Sequence, residues 1–371
     1  MTIFYLLTFI VCGAYAALMI FYLIGWKQTP VHSSVIKQQP SVRISVILPF
    51  RSEAKNILNI LFCLLQQDYP KDKFEIIAVD DFSVDETSDL IQTANLFNLK
   101  LVSLTAKGGK KQAIAEGISR ASGELIITTD ADCVMEEKWL SAMASFYEAY
   151  KPKMIVAPVL FRGEKSLTEI MQLQEMTVLT ACAAASAYYT SPLLCSGANL
   201  AYEKEAFVSV NGFKATADTA SGDDMFLLLK FKDFFPGKIH YLKSKDAAVY
   251  TYPEKKSSDA LRQRKRWASK SFSYGFSSIT GIAVLVFLAN FFILLAGILS
   301  VINVKFAFAL IAALPLKCIA DYMLLYSASS FFEKRPHTFV FLIASIFYPL
   351  YAVFIGLISP FTNYSWKGRK F

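Results

Sequence analysis

Long runs without a charged residue sit at both ends of this 371-residue chain, and they limit what the rest can be. Residues 3–25 are uncharged and long enough to cross a bilayer, which takes about 20 residues in a helix. Residues 281–304 and 338–360 are uncharged as well. Residues 306–330 are apolar but carry Lys317 and Asp321, four apart and so on one helix face. Charges inside a span are costly. The plain reading is a mutual pair near a helix end, or a segment lying at the interface. With 54% hydrophobic residues, the chain is too apolar for an ordinary soluble protein of its size.

The N-terminal run reads as an uncleaved anchor. It continues to Trp26 and no basic region precedes it, although Ala14-Tyr15-Ala16 has the form of a cleavage triplet. Residues 1–26 are thus expected to be an anchor and 279–371 a membrane region with two to three spans. Residues 27–278 have ordinary soluble composition and the length of one large α/β domain.

The net charge is 38 − 30 = +8, and Arg262, Arg264, Lys265, Arg266 and Lys270 cluster beside the expected membrane boundary. By the positive-inside rule this places the domain on the cytoplasmic side of an integral, multi-pass membrane protein. A juxtamembrane cluster also accounts for the charge without a nucleic-acid partner. One span before the domain and three after would put the tail "SWKGRKF" outside, although Lys367, Arg369 and Lys370 favour the inside. Three spans are slightly favoured. The six cysteines show neither CxxC nor His-paired spacing, which argues against structural zinc and a disulfide framework.

The middle of the chain alternates strand and helix. "RISVILPF" is a short β-branched run that Pro49 is expected to end. Apolar residues at 57, 60, 61, 64 and 65 give helical spacing up to Asp68-Tyr69-Pro70. "FEIIAVDD", "LKLVSL" and "ELIITTDAD" read as further strands, with helices between them. Such alternation predicts a parallel doubly wound sheet, whose ligands bind at the strands' carboxyl ends. Asp80, Asp81, Asp130 and Asp132 all fall there. Two carboxylates one residue apart repel unless something positive sits between them. A hard cation, Mg²⁺ or Mn²⁺, suits such a pair and commonly also holds substrate phosphates. Asp-x-Asp alone is a weak signal, since such pairs arise by chance on loops.

"VILPFRSEAKNI", "AVDDFSVDET", "GGKKQAIAEG", "TTDADC", "SGANLAY", "GDDMFL" and "QRKRW" follow one another in this order. The set resembles family 2 glycosyltransferases of the GT-A fold, in particular the membrane-embedded branch with the cellulose, chitin and hyaluronan synthases and ceramide glucosyltransferase. The resemblance covers about residues 42–278. It implies an inverting, metal-dependent transfer from a nucleoside-diphosphate sugar, with UDP the favoured nucleotide, to a membrane lipid or a growing polysaccharide. A mostly parallel, Rossmann-like sheet is expected with it.

By resemblance, Asp80 or Asp81 holds the uracil or ribose, and Lys110 is a cation near the nucleotide. A turn-forming Asp pair and a solvated basic face are the ordinary readings of those residues. Asp132 is expected as the direct metal ligand and Asp130 as its partner toward metal or ribose. Asp224 aligns with the catalytic base that takes the acceptor hydroxyl's proton. Asp223 stands where the family has Glu, and an acidic N-cap is the ordinary reading of the pair. Gln263, Arg266 and Trp267 match Gln-x-x-Arg-Trp. Arg266 would face the leaving diphosphate, and Trp267 would offer an aromatic face to the acceptor. A juxtamembrane basic-aromatic anchor is the alternative there. Gly197 and Asn199 would line the acceptor side. The helix beginning "LTEIMQLQEM" belongs either to the membrane interface or to the core.

Two other classes remain open in the sequence. One is a membrane-anchored nucleotide-sugar-binding scaffold without turnover, against which intact Asp130, Asp132, Asp224 and Arg266 argue. The other is a transporter using the Lys317/Asp321 segment.

Overall fold

The computed structural model describes the chain except residues 34–39, 95, 107, 215–221, 272–277, 360–364, 367, 368 and 371, and the side chains of 223, 269–271, 365, 366, 369 and 370. The tail bearing Lys367 and the side chains of Lys270, Arg369, Lys370 and Asp223 lie outside the described residues. In chain order the elements are α1 (Thr2–Gln28), β1 (Ile44–Phe50), α2 (Ile57–Leu65), β2 (Phe74–Asp80), α3 (Thr87–Ala94), β3 (Leu99–Ser103), α4 (Lys110–Arg120) and β4 (Leu125–Thr128). Then come β5 (Val134–Met135), α5 (Trp139–Tyr150), β6 (Met154–Val156), β7 (Val159–Phe161), α6 (Leu167–Tyr188), β8 (Leu200–Glu203), α7 (Lys204–Ser209) and α8 (Asp223–Phe234). The last are β9 (Ile239–Tyr241), β10 (Val249–Thr251), α9 (Ser257–Ser271), α10 (Ser278–Ile302), α11 (Ala307–Phe331), α12 (Thr338–Ile358), β11 (Ser365–Trp366) and β12 (Arg369–Lys370).

The chain divides into two compact units. Gln28–Arg162 and Ala183–Tyr252 form one; Met1–Lys27, Gly163–Cys182 and Pro253–Phe371 form the other.

The first unit is built on a seven-stranded sheet of order β3-β2-β1-β4-β8-β6-β9. β1 pairs in parallel with β2 and β4, and β2 with β3. Their residues are mostly apolar, and β1 and β4 are buried throughout, as strands covered on both faces must be. The sheet is mixed, however: β8 runs antiparallel to both β4 and β6. The strand–helix alternation points to a parallel sheet; the sheet is instead mostly parallel, as the family resemblance implies, because β8 inserts beside β4 in the opposite sense. Pro49 does not end β1, which runs on to Phe50. Ile47 and Pro49 face the same neighbour, β4, and the β1–β4 ladder stops at the pair Ile47 with Thr128. Pro49 lies beyond that end, so its missing N–H removes no ladder bond. α2 buries Ile57, Ile60, Leu61 and Leu64, the face its spacing predicts.

Among the described residues of the second unit four helices are long and apolar enough to cross a membrane: Thr2–Gln28, Ser278–Ile302, Val304–Phe331 and Thr338–Ile358. α1 and α11 run parallel. Tyr5 donates to the Lys305 carbonyl at one end, and Trp26 packs edge-on against Phe331 at the other. Lys317 and Asp321 do form a mutual pair, at 2.6 Å, but in the middle of α11 rather than near its end. Lys317 is 4% exposed and faces the rings of Tyr15 and Tyr348, while the Tyr15 hydroxyl donates to Asp321 at 2.7 Å. The packed helices, not the interface, satisfy this charge.

Candidate active site

The parallel strands of the first unit end side by side, and their exits carry the acidic residues. β2 ends at Asp80, whose two oxygens accept from the Ser83 backbone at 2.8 Å and the Ser88 hydroxyl at 2.9 Å. Those bonds cap the turn into α3, as an Asx turn does. Asp81 is 2% exposed and accepts from the Gly109 N–H at 3.1 Å. Gly109 has φ 84°, which glycine adopts without cost, and it opens α4 at Lys110. The backbone of "GGK" is thereby tied to the end of β2.

Lys110 reaches across to β4's exit, with its Nζ 2.5 Å from Asp130 Oδ1. Asp132 follows two residues on and accepts from the Thr251 hydroxyl at 3.4 Å. Surrounding atoms, then Asp130 and Glu53, push the Asp132 carboxyl above its ordinary range, while Lys110 pulls it down. Asp132 is nonetheless exposed to solvent. Among the described residues no group of three or more His, Cys, Asp or Glu is placed to hold a metal. Two mutually repelling carboxylates still fit Mg²⁺ or Mn²⁺, since these ions keep several waters and take further oxygens from substrate phosphates. Asp132, with Asp130, would hold it.

Asp224 is the second residue of α8, which follows Gly222 with φ 89°. Its Oδ2 accepts from the Gly197 N–H at 3.1 Å, and its Oδ1 from the Met225 N–H at 2.8 Å. The Gly197 carbonyl in turn accepts from Thr128 Oγ1 at 2.9 Å. Thr128 is the last residue of β4, two before Asp130. One glycine therefore ties Asp224 to the strand that presents Asp130 and Asp132. Asn199 is fully buried. Its Nδ2 donates to the carbonyls of Pro158 at 2.7 Å and Ala247 at 2.8 Å, and its Oδ1 accepts from Trp139 at 3.0 Å. Its amide braces the loops around β8.

Gln263, Arg266 and Trp267 lie on α9, in the unit of hydrophobic helices. All three are half-buried. The buried member of the segment is Arg264, paired with Glu175 of α6 at 2.7 Å.

Sequence reasoning missed three participants, Arg51, Glu53 and Thr251, and the role of a fourth. Gly197 was singled out, but not as the partner of Asp224. Arg51, which donates to the Asp81 carbonyl at 3.3 Å, sits inside a quoted motif and could have been flagged as a cation. Glu53, whose charge reaches Asp132, sits there too. Thr251 carries no local signal, because β10 meets Asp132 only through the small sheet β5-β10-β7.

The profile of glycosyl transferase family 2 matches residues 45–209, the stretch from β1 through α7 that carries the four strand-end carboxylates. These residues are a family 2 glycosyl transferase domain. A Methanococcus voltae relative, the dolichyl N-acetyl-alpha-D-glucosaminyl phosphate 3-beta-D-2,3-diacetamido-2,3-dideoxy-beta-D-glucuronosyltransferase, is 28% identical over 241 residues, covering 62% of this chain and 71% of that protein. The poly(ribitol-phosphate) beta-N-acetylglucosaminyltransferase TarS of Staphylococcus aureus is 31% identical over 117 residues. That match takes in 31% of this chain and only 20% of TarS. Among solved structures, a Pyrobaculum calidifontis mannosyltransferase in complex with GDP-Man and Mn²⁺ superposes with TM-score 0.58 at 19% identity, covering 95% of this chain and 99% of that one. The shared architecture is the GT-A-like fold of the family 2 domain.

Proposed function

We propose that this chain transfers a sugar, with inversion, from a nucleoside-diphosphate sugar to a membrane lipid or a growing polysaccharide. The observation that carries the reading is the tie from Asp224 through Gly197 to Thr128, which holds the Asp224 carboxylate beside the strand presenting Asp130 and Asp132. In the reaction the acceptor hydroxyl oxygen forms a bond to the anomeric carbon. Its proton passes to the Asp224 carboxylate, and the bond from the anomeric carbon to the diphosphate breaks with its electron pair leaving on the diphosphate. The Gly197 and Met225 N–H groups hold Asp224 in one orientation for that step. Asp80 or Asp81 with Lys110 would hold the nucleotide, and Gln263, Arg266 and Trp267 take the diphosphate and acceptor roles that the resemblance gives them. A bound Mg²⁺ or Mn²⁺ would supply stabilisation of the negative charge on the departing diphosphate.

UDP is the first nucleotide to try, and N-acetylglucosamine the first sugar, because relatives are named for N-acetylglucosaminyl transfer. The four apolar helices and the basic cluster of α9 support a multi-pass membrane protein with the domain on the cytoplasmic face.

The test is UDP release by the detergent-solubilised protein, with a panel of UDP-sugars, total membrane lipid as acceptor, and Mn²⁺, Mg²⁺ or EDTA. Release from one donor, stimulated by lipid and dependent on the cation, is the expected result. Tight UDP-sugar binding without release from any donor would replace the enzyme by a nucleotide-sugar-binding scaffold.

A further inference from the structure

The recognised motif on α9 uses Gln263, Arg266 and Trp267 and leaves Arg264 without a role. Yet Arg264 is the most enclosed of these side chains, with 7% of it exposed. Residues 264 and 267 are three apart and share a helix face. The Arg264 guanidinium lies 4.3 Å from the centre of the Trp267 ring, within cation–π range. Its Nη2 is 2.7 Å from Glu175 Oε2 on α6. A charge this enclosed is held by its counter-ion and cannot meet a substrate directly. Its planar face touches the indole instead.

We propose that Arg264 is a positioning residue, anchored by Glu175, that sets the pose of the Trp267 indole toward the acceptor. The acceptor role of Trp267 is part of the function proposed above, and the inference rests on it. Lysine cannot replace Arg264 here: an ammonium keeps the charge but has no planar face to stack on the indole.

The test uses the full chain in lipid nanodiscs, labelled with 5-fluorotryptophan, as wild type, Arg264→Lys and Glu175→Gln. The Trp267 resonance is assigned by its loss in Trp267→Phe. It is expected to shift in both variants while the other tryptophan resonances stay in place. In the transfer assay, kcat/KM for the acceptor is expected to fall about tenfold with donor KM changed by less than about twofold. An unchanged Trp267 resonance in both variants would overturn the proposal. So would a shifted resonance with unchanged acceptor kinetics, or a loss spread equally over donor and acceptor. Absence of transfer by the wild type would sink the proposed function instead, and the fluorine spectrum would still decide whether Arg264 sets the indole.

Discussion

The backbone N–H of Gly197 donates to Asp224 Oδ2 at 3.1 Å, while the same residue's carbonyl accepts from Thr128 at 2.9 Å. Gly197 thus links Asp224 on α8 to the end of β4. Thr128→Val removes the hydroxyl that holds Gly197 and leaves a buried carbonyl short of a partner. The expected outcome is a loss of about 1–2 kcal/mol in stability and about a tenfold fall in kcat with donor KM unchanged. Thermal melting and steady-state kinetics on the same preparation check both.

Lys110 sits 2.5 Å from Asp130, where a divalent cation would compete with it. Lys110→Met should therefore lower the Mn²⁺ concentration needed for half-maximal UDP binding. It should also weaken UDP binding at saturating Mn²⁺ by about tenfold, through loss of a cation near the diphosphate. Calorimetric titration across a Mn²⁺ series separates the two effects.

Removing divalent ions should abolish transfer, since two repelling carboxylates at one strand end cannot hold a diphosphate by themselves. EDTA followed by stepwise Mg²⁺ or Mn²⁺ is expected to remove and then restore UDP release. Full activity in EDTA would exclude the cation.

Glu75 gives a pH dependence. Burial pushes its carboxyl up, but Lys100 at 2.6 Å and the donors of Ser122 and Ser45 outweigh that and hold it at about 2. A carboxyl lowered on folding contributes stability above its unfolded value of 4.5, and that contribution is lost as pH falls toward about 2. Glu75→Gln should cost about 1–2 kcal/mol at pH 7, allowing for solvent screening. Denaturant midpoints of the two proteins should converge between pH 4.5 and 2.

The pair in α11 predicts an asymmetry. Asp321→Asn strands Lys317 among Tyr15 and Tyr348, and should destabilise the chain in detergent by about 3 kcal/mol. Replacing both, as Lys317→Met with Asp321→Leu, should recover most of that loss. Thermal shift of the three proteins decides it.

Local pattern carried much of this fold. The β-branched runs and the spacing at 57, 60, 61 and 64 marked the strands and α2, because burial on both faces or one face leaves a periodic imprint. Asp130 and Asp132 stood out through the ordered motifs around them, since a pair of carboxylates after an apolar run is by itself a weak signal. What stayed hidden depends on chain reversals and distant contacts. The antiparallel sense of β8 has no signature in "SGANLAY", and Thr251 meets Asp132 across 119 residues of sequence. Asn199 looked like an acceptor-side residue, but its amide is saturated by Pro158, Ala247 and Trp139. Lys317 and Asp321 were legible as a pair. Their depth in the helix bundle was not, because it depends on Tyr15, some 300 residues away.

The most direct test of the account is Asp224→Asn, measured for UDP-sugar binding by calorimetry and for transfer on the same sample. Loss of the proton acceptor with the shape kept should leave donor affinity within about threefold and cut transfer by at least about 100-fold. Transfer within about twofold of wild type would show that Asp224 is not the base, and would remove the central support for the proposed mechanism.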